Sequence, residues 1–229
     1  MSLSNPSDSV LVALDVPSRE RAVELSQKLE GHVGGFKIGL ELFCANGPQI
    51  VEQIGPERTF LDLKFHDIPN TVASVCRVAA KMGVKIFNVH CLGGLDMMRA
   101  AVDATREVDP NVHLIGVTIL TSHDSDSLSR LGLRESPREA VLRLAELAQQ
   151  AGLDGVVCSP REILPVRSRC GDDFLLVTPG IRPLNSDAGD QKRTLSPREA
   201  LQAGADYLVV GRPITGASDP IAAVKRLFD

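Results

Sequence analysis

Apolar residues gather in eight short runs along the 229-residue chain, and most runs are followed by a stretch with helical spacing. Val10–Leu14 is uninterrupted and stops at Asp15, the pattern of a strand covered on both faces. The same reading predicts strands over Gly35–Gly39, Thr59–Lys64, Lys85–His90, Val112–Leu120, Gly155–Cys158, Phe174–Thr178 and Tyr207–Val210. Between them, helices are expected from Pro17 to about Leu29, from around Gly47 to Ile54, and over Asn70–Met82, Leu95–Glu107 and Pro137–Ala151. A short helix is expected after Pro160, and a closing one from Asp219-Pro220 to about Phe228. Ser196-Pro-Arg-Glu199 has capping-box spacing and marks a further helix start. Ser122–Arg134 reads as a polar loop, and the Gly/Asp/Asn-rich Pro183–Arg193 as a mobile one.

Eight strand–helix units at roughly 29 residues each predict a single-domain (β/α)8 TIM barrel over residues 1–229, with 1–9 a flexible N-terminal extension. The competing doubly wound open sheet lacks its GxGxxG after the first strand. Composition narrows the function classes. A net charge of −4 without a basic run, no Trp and one Tyr argue against a nucleic-acid partner. Five cysteines without a CxxC pair fit reduced thiols in the cytoplasm, and the histidines form neither HExxH nor HxH, so no zinc site is expected. No apolar run reaches spanning length, and Met1–Ser9 lacks the basic start of a signal peptide, so no membrane association is expected.

The chemistry concentrates in Phe60-Leu-Asp-Leu-Lys-Phe-His-Asp-Ile-Pro-Asn-Thr71. Asp62 and Lys64 are two apart, which on an extended strand puts them on one side, while His66 should alternate away and stay structural. Asp67 follows the strand end, and Pro69 is placed to open a helix. Charges crowded at a strand end are costly to bury unless they pair or react; a surface ion-pair cluster is the plainer alternative. In a (β/α)8 barrel the active site lies where the strands end. The polar residues falling there are Asp15, Asp62, Lys64, Thr121, Ser122, Arg182, Gly211 and Arg212, and Lys37 could reach the same mouth along its stem. Each also has a structural reading, Asp15 as a helix cap and Lys37 as a lysine extending to solvent. Small residues after the seventh and eighth strands, with Arg212, suit a phosphate. An ammonium beside a developing carbanion stabilises it and then protonates it, and a carboxylate pressed on a substrate anion favours loss of that anion. Cofactor-free decarboxylation of a phosphorylated ligand is the expectation.

Asp62-Leu-Lys-Phe-His-Asp-Ile-Pro-Asn-Thr71, with its Asp-x-Lys-x-x-Asp signature, resembles the orotidine 5′-monophosphate decarboxylase family of bacterial type. The resemblance runs through Val12–Asp15, Phe36–Gly39, Val117–Ser122, Pro179–Arg182 and Val210–Arg212. It implies a homodimer of barrels that converts orotidine monophosphate to uridine monophosphate, the last step of pyrimidine nucleotide synthesis, with no metal or organic cofactor. Lys64 would donate the proton, Asp62 would press on the substrate carboxylate, and Lys37 would hold Asp62 and touch the ribose. Asp67 and Thr71 would complete the neighbouring subunit's site, Asp15 would bind the ribose, and Thr121 and Ser122 would lie near the base. Arg182, Gln191, Gly211 and Arg212 would hold the phosphate, with Gln191 on a loop able to close as a lid. Two rivals stay open. A metal-dependent sugar-phosphate decarboxylase or synthase on the same frame needs a carboxylate where this chain has Lys37. A catalytically silent nucleotide-binding barrel would be expected to have lost part of the charge set.

Overall fold

The computed structural model describes residues 5–181 and 195–229. Eight parallel strands close into a barrel in sequence order: β1 Val10–Ala13, β2 Gly35–Gly39, β3 Thr59–Phe65, β4 Ile86–His90, β5 His113–Val117, β6 Gly155–Val157, β7 Leu175–Pro179 and β8 Tyr207–Val210. The last strand pairs back to the first through Val10↔Leu208, Leu11↔Val209 and Val12↔Val210. This is the expected (β/α)8 architecture, with helices covering the outside of the strands.

Alternation along the strands separates two cores. Val12, Ile38, Leu61, Phe87, Leu114 and Leu208 face outward and pack in the cluster shared with the helices. Leu11, Phe60, Ile86, Ile115 and Val177 point inward and fill the barrel floor. Two residues further along the same faces, about 6–7 Å up the axis, stand Asp62 above Phe60 and Asn88 above Ile86. The apolar floor therefore carries a polar layer nearer the strand ends, where a barrel keeps its chemistry.

Several boundaries differ from the sequence expectation, each for a local reason. β5 stops at Val117 rather than Leu120, because its ladders to β4 and β6 both end there, at His90↔Val117 and Val117↔Val157. Thr118 then donates its Oγ1 hydrogen to Val157 O at 2.8 Å. A helix over Leu40–Asn46 precedes the expected one (Gln49–Ile54); its N-cap is Gly39, which has no side chain to announce it. Within the supposed polar loop, Asp124 and Ser127 form a reciprocal cap that starts a short helix, Ser125–Arg130. At the N-terminus Pro6–Ser9 is a 3-10 turn capped by Asn5, and Ser9 is buried beside the first strand. The Ser196–Glu199 capping box is present and opens Pro197–Gln202. Pro183–Arg193, expected as a mobile loop, lies outside the described residues.

All five cysteines are free thiols, four of them buried. Burial pushes Cys76, Cys91 and Cys158 up to about 12, which keeps them protonated and unreactive. Among the described residues no helix is long and apolar enough to cross a membrane.

Candidate active site

β3 does not run straight through its charged residues. Its ladder to β4 pairs Leu61 with Phe87 and next Phe65 with Val89, so three residues of β3 stand opposite Asn88 alone. Inside this bulge Lys64 has φ 53, the one left-handed non-glycine among the described residues. Such a backbone costs about 1–3 kcal/mol and persists only where its surroundings hold it. There Asn88 Oδ1 accepts the Lys64 N–H at 2.8 Å. The expectation that Asp62 and Lys64 share a side by simple alternation is thus corrected in its cause: the bulge, not a regular strand, brings Lys64 Nζ to 2.7 Å from Asp62 Oδ1.

Around Asp62 the charges alternate. Lys37, only 8% exposed, donates to Asp15 Oδ1 at 3.0 Å and stands 3.6 Å from Asp62 Oδ2. Asp62 Oδ1 also accepts a hydrogen bond from Asn88 Nδ2 at 2.7 Å. Burial works against ionising Asp62, but Lys37 and Lys64 and the donors from Lys64 and Asn88 outweigh it and hold its carboxyl below the usual carboxylate range. Gly39 leaves room for the network, since a Cβ there would sit 3.0 Å from Lys37 Nζ and 3.2 Å from Asp15 Oδ1.

Lys37, Asp62 and Lys64 form one wall of a cavity of about 270 Å³. Thr121 and Ser122 line it, and Val117, Ile119, Val157, Pro179 and Val209 supply apolar surface. A larger cleft of about 440 Å³, lined by His113, Asp154, Asp172 and Phe174 among others, opens under the strand N-termini, remote from the charge array. Asp15 is at the mouth, its side chain 61% exposed. Gly211 caps the short helix Arg212–Thr215 after β8, and Arg212 is exposed there. Gly180, with φ 82, turns the chain off β7.

Asp67 and Thr71 do not join the array in the single chain. Both are exposed, and Asp67 Oδ1 accepts the Ile68 N–H at 2.6 Å. Arg182 and Gln191 lie outside the described residues. Asn88 is the site residue that sequence reasoning missed. Its signal was available: an amide inside the run Ile86-Phe-Asn-Val-His90, on the same face as Ile86, needs buried partners for both ends.

Next to Lys64 a histidine pair completes the rim. His66 and His90 stack with ring centroids 5.4 Å apart, and His90 Nδ1 accepts the Leu92 N–H at 3.3 Å. Burial pushes His90 down to about 4 from 6.5, with His66, Lys64 and His123 adding to the effect. The folded form therefore resists a proton that the unfolded chain takes up near pH 6.5, and stability from the neutral imidazole is lost as pH falls from 6.5 toward 4. Urea unfolding of a His90→Gln variant should lose less stability than the wild type across that interval; parallel curves would contradict the assignment.

The comparisons with known proteins converge. The model of the Orotidine 5′-phosphate decarboxylase / HUMPS family matches residues 8–227. A protein of Hydrogenovibrio crunogenus named orotidine 5′-phosphate decarboxylase is 51% identical over 224 residues, covering 97% of this chain and 95% of its own. One of the same name from Alkalilimnicola ehrlichii is 52% identical over 220 residues, covering 95% of this chain and 94% of its own. The crystal structure of orotidine 5′-phosphate decarboxylase from Lactobacillus acidophilus superposes with a TM-score of 0.82 at 39% identity, covering 95% of this chain and 96% of that one. With a family match across nearly the whole barrel and relatives at half identity, the chain belongs to the orotidine 5′-phosphate decarboxylase / HUMPS family.

Proposed function

We propose that the chain decarboxylates orotidine 5′-monophosphate to uridine 5′-monophosphate in de novo pyrimidine synthesis, in the cytoplasm, as a homodimer and without metal or organic cofactor. The observation that carries this reading is the Lys37–Asp62–Lys64 array on the wall of an otherwise largely apolar cavity. Asp62 stays ionised next to where a substrate carboxylate would lie, so the bound anion meets a fixed like charge. The bond from the ring carbon to the carboxylate breaks, carbon dioxide leaves, and the electron pair remains on that carbon. Lys64 stabilises the developing charge and passes its Nζ proton to the same carbon, then recovers a proton from water. Lys37 holds Asp62 and, with Asp15, takes the ribose. Thr121 and Ser122 line the cavity beside the base. Arg182, Gln191, Gly211 and Arg212 are assigned to the phosphate, whose remote binding lowers the barrier at the base. Asp67 and Thr71 are assigned to the neighbouring subunit's site, in keeping with their exposure here.

The charge pattern speaks against the metal-dependent sugar-phosphate alternative. Both oxygens of Asp62 already face ammonium or amide donors, which leaves a divalent cation a repelled and occupied ligand. The test is the loss of orotidine monophosphate absorbance with purified protein, with and without EDTA. Turnover indifferent to EDTA is expected; turnover abolished by EDTA would overturn the cofactor-free mechanism, and none at all would return the sugar phosphates and the silent nucleotide-binding barrel to consideration.

A further inference from the structure

Asn88 is wholly buried and uncharged, and each end of its amide is engaged by one of the two residues on which the proposed reaction turns. The orientation of the amide is forced. Turned over, it would set its oxygen against the Asp62 carboxylate and its NH2 against the Lys64 N–H. We infer that Asn88 is a positioning residue for the decarboxylation: by clamping the β3 bulge from β4 it holds Lys64 in its left-handed backbone and Asp62 in register with it. The inference rests on the decarboxylase reading given above.

Three physical arguments support it. First, with three β3 residues opposite one on β4, the regular ladder has no backbone acceptor in place for Lys64 N–H, and the Asn88 side chain supplies one at 2.8 Å. Without it a partly buried N–H is left unpaired in the segment that already carries the backbone strain. Second, the donor to Asp62 is neutral. A third cation at this position would orient Asp62 equally well but would cancel the negative charge that has to act on the substrate; an amide orients it and leaves the charge. Third, the amide bond to Asp62 does not depend on the proton in flight. When Lys64 gives up its proton, the attraction between Lys64 and Asp62 at 2.7 Å weakens, while the 2.7 Å bond from Asn88 persists and keeps Asp62 in place until Lys64 is recharged.

The test compares Asn88→Asp and Asn88→Ser with wild type in the full-length protein. Three quantities are read: kcat on orotidine monophosphate, the Kd of uridine monophosphate, and thermal unfolding. Asn88→Asp keeps the shape and the acceptor for Lys64 N–H but exchanges the donor for a second carboxylate facing Asp62. In both variants kcat should fall about 100-fold or more, the scale of a reacting group displaced by about 1 Å. The product nucleotide should still bind within about threefold of wild type, the signature of an interaction used in the transition state rather than in binding. In Asn88→Asp the acid limb of kcat/KM should also move to higher pH. Two carboxylates within hydrogen-bonding reach share a proton despite Lys37 and Lys64 alongside them and Asp15 beyond Lys37. A merely structural asparagine would lower binding and turnover together and leave the pH profile in place, and that parallel loss would overturn the inference, as would wild-type kcat in either folded variant. If Asn88→Asp does not accumulate as folded protein, Asn88→Ser decides by the same comparison; failure of both to fold counts against the inference, which requires a barrel that forms without the amide. Inactive wild type would remove the decarboxylase reading and this inference together, whereas active wild type with equally active variants removes this inference alone.

Discussion

Lys64→Ala is expected to lower kcat on orotidine monophosphate by about 10⁴-fold or more, because in the proposed reaction one ammonium serves two steps. Positioned general acids contribute about 10²–10⁴-fold, and removing a preorganised charge partner of a developing anion costs about 10²–10³-fold. The barrel should survive the change. Asp62 keeps the Asn88 bond at 2.7 Å and Lys37 at 3.6 Å, so it is not left as an isolated buried charge. Binding of uridine monophosphate should persist, since the phosphate and ribose contacts are assigned elsewhere. Single-turnover measurements on the variant provide the check: a kcat within tenfold of wild type would remove Lys64 from the chemistry.

Mixing two inactive variants, Lys64→Ala and Asp67→Ala, is expected to restore about one quarter of wild-type activity once the subunits of the proposed homodimer have exchanged. If Asp67 works in the neighbouring site, each mixed dimer has one site carrying both changes and one site carrying neither. Random exchange makes half the dimers mixed, each with one of two sites intact, hence about a quarter. The motivation is the rim of the single chain. Asp67 and Thr71 are exposed and take no part in the array, and Ile68 between them is 67% exposed, with Leu40, Leu92 and Leu120 also uncovered at neighbouring strand ends. Large apolar side chains at a barrel mouth call for a covering surface. Separately tagged subunits would verify the exchange. No recovery in verified mixed dimers would assign Asp67 to its own subunit's site, and full activity of Asp67→Ala alone would place it outside catalysis.

Much of this architecture was legible along the chain, for reasons that differ by residue. Runs such as Val10-Leu-Val-Ala read plainly as strands because a parallel strand is covered on both faces, which leaves no polar alternation to confuse the pattern. Lys37 and Asp62 stood out because a charge inside such a run has to be paired or functional to tolerate desolvation. Pro69 and Ser196 announced their helices because caps are chemically local. Leu40–Asn46 was not announced, as a glycine cap contributes no side-chain hydrogen bond. The end of β5 was misjudged because it depends on where β4 and β6 stop, not on the apolar stretch that continues to Leu120.

The same division applies to the site. The order of strands and helices, the closure it implies, and the presence of carboxylates and ammonium groups at the strand ends all follow from the sequence, since hydrophobic periodicity and the cost of burying charge act residue by residue. Lysine does not encode a left-handed backbone, and asparagine in an apolar run does not reveal its partners. Only the tertiary structure decided that β3 bulges against β4, that Asn88 fills the gap, and that Asp62 divides its two oxygens between Lys64 with Asn88 and Lys37. Those facts depend on the register between strands more than twenty residues apart, and register is set by the packing of the whole barrel rather than by the residues that end up touching.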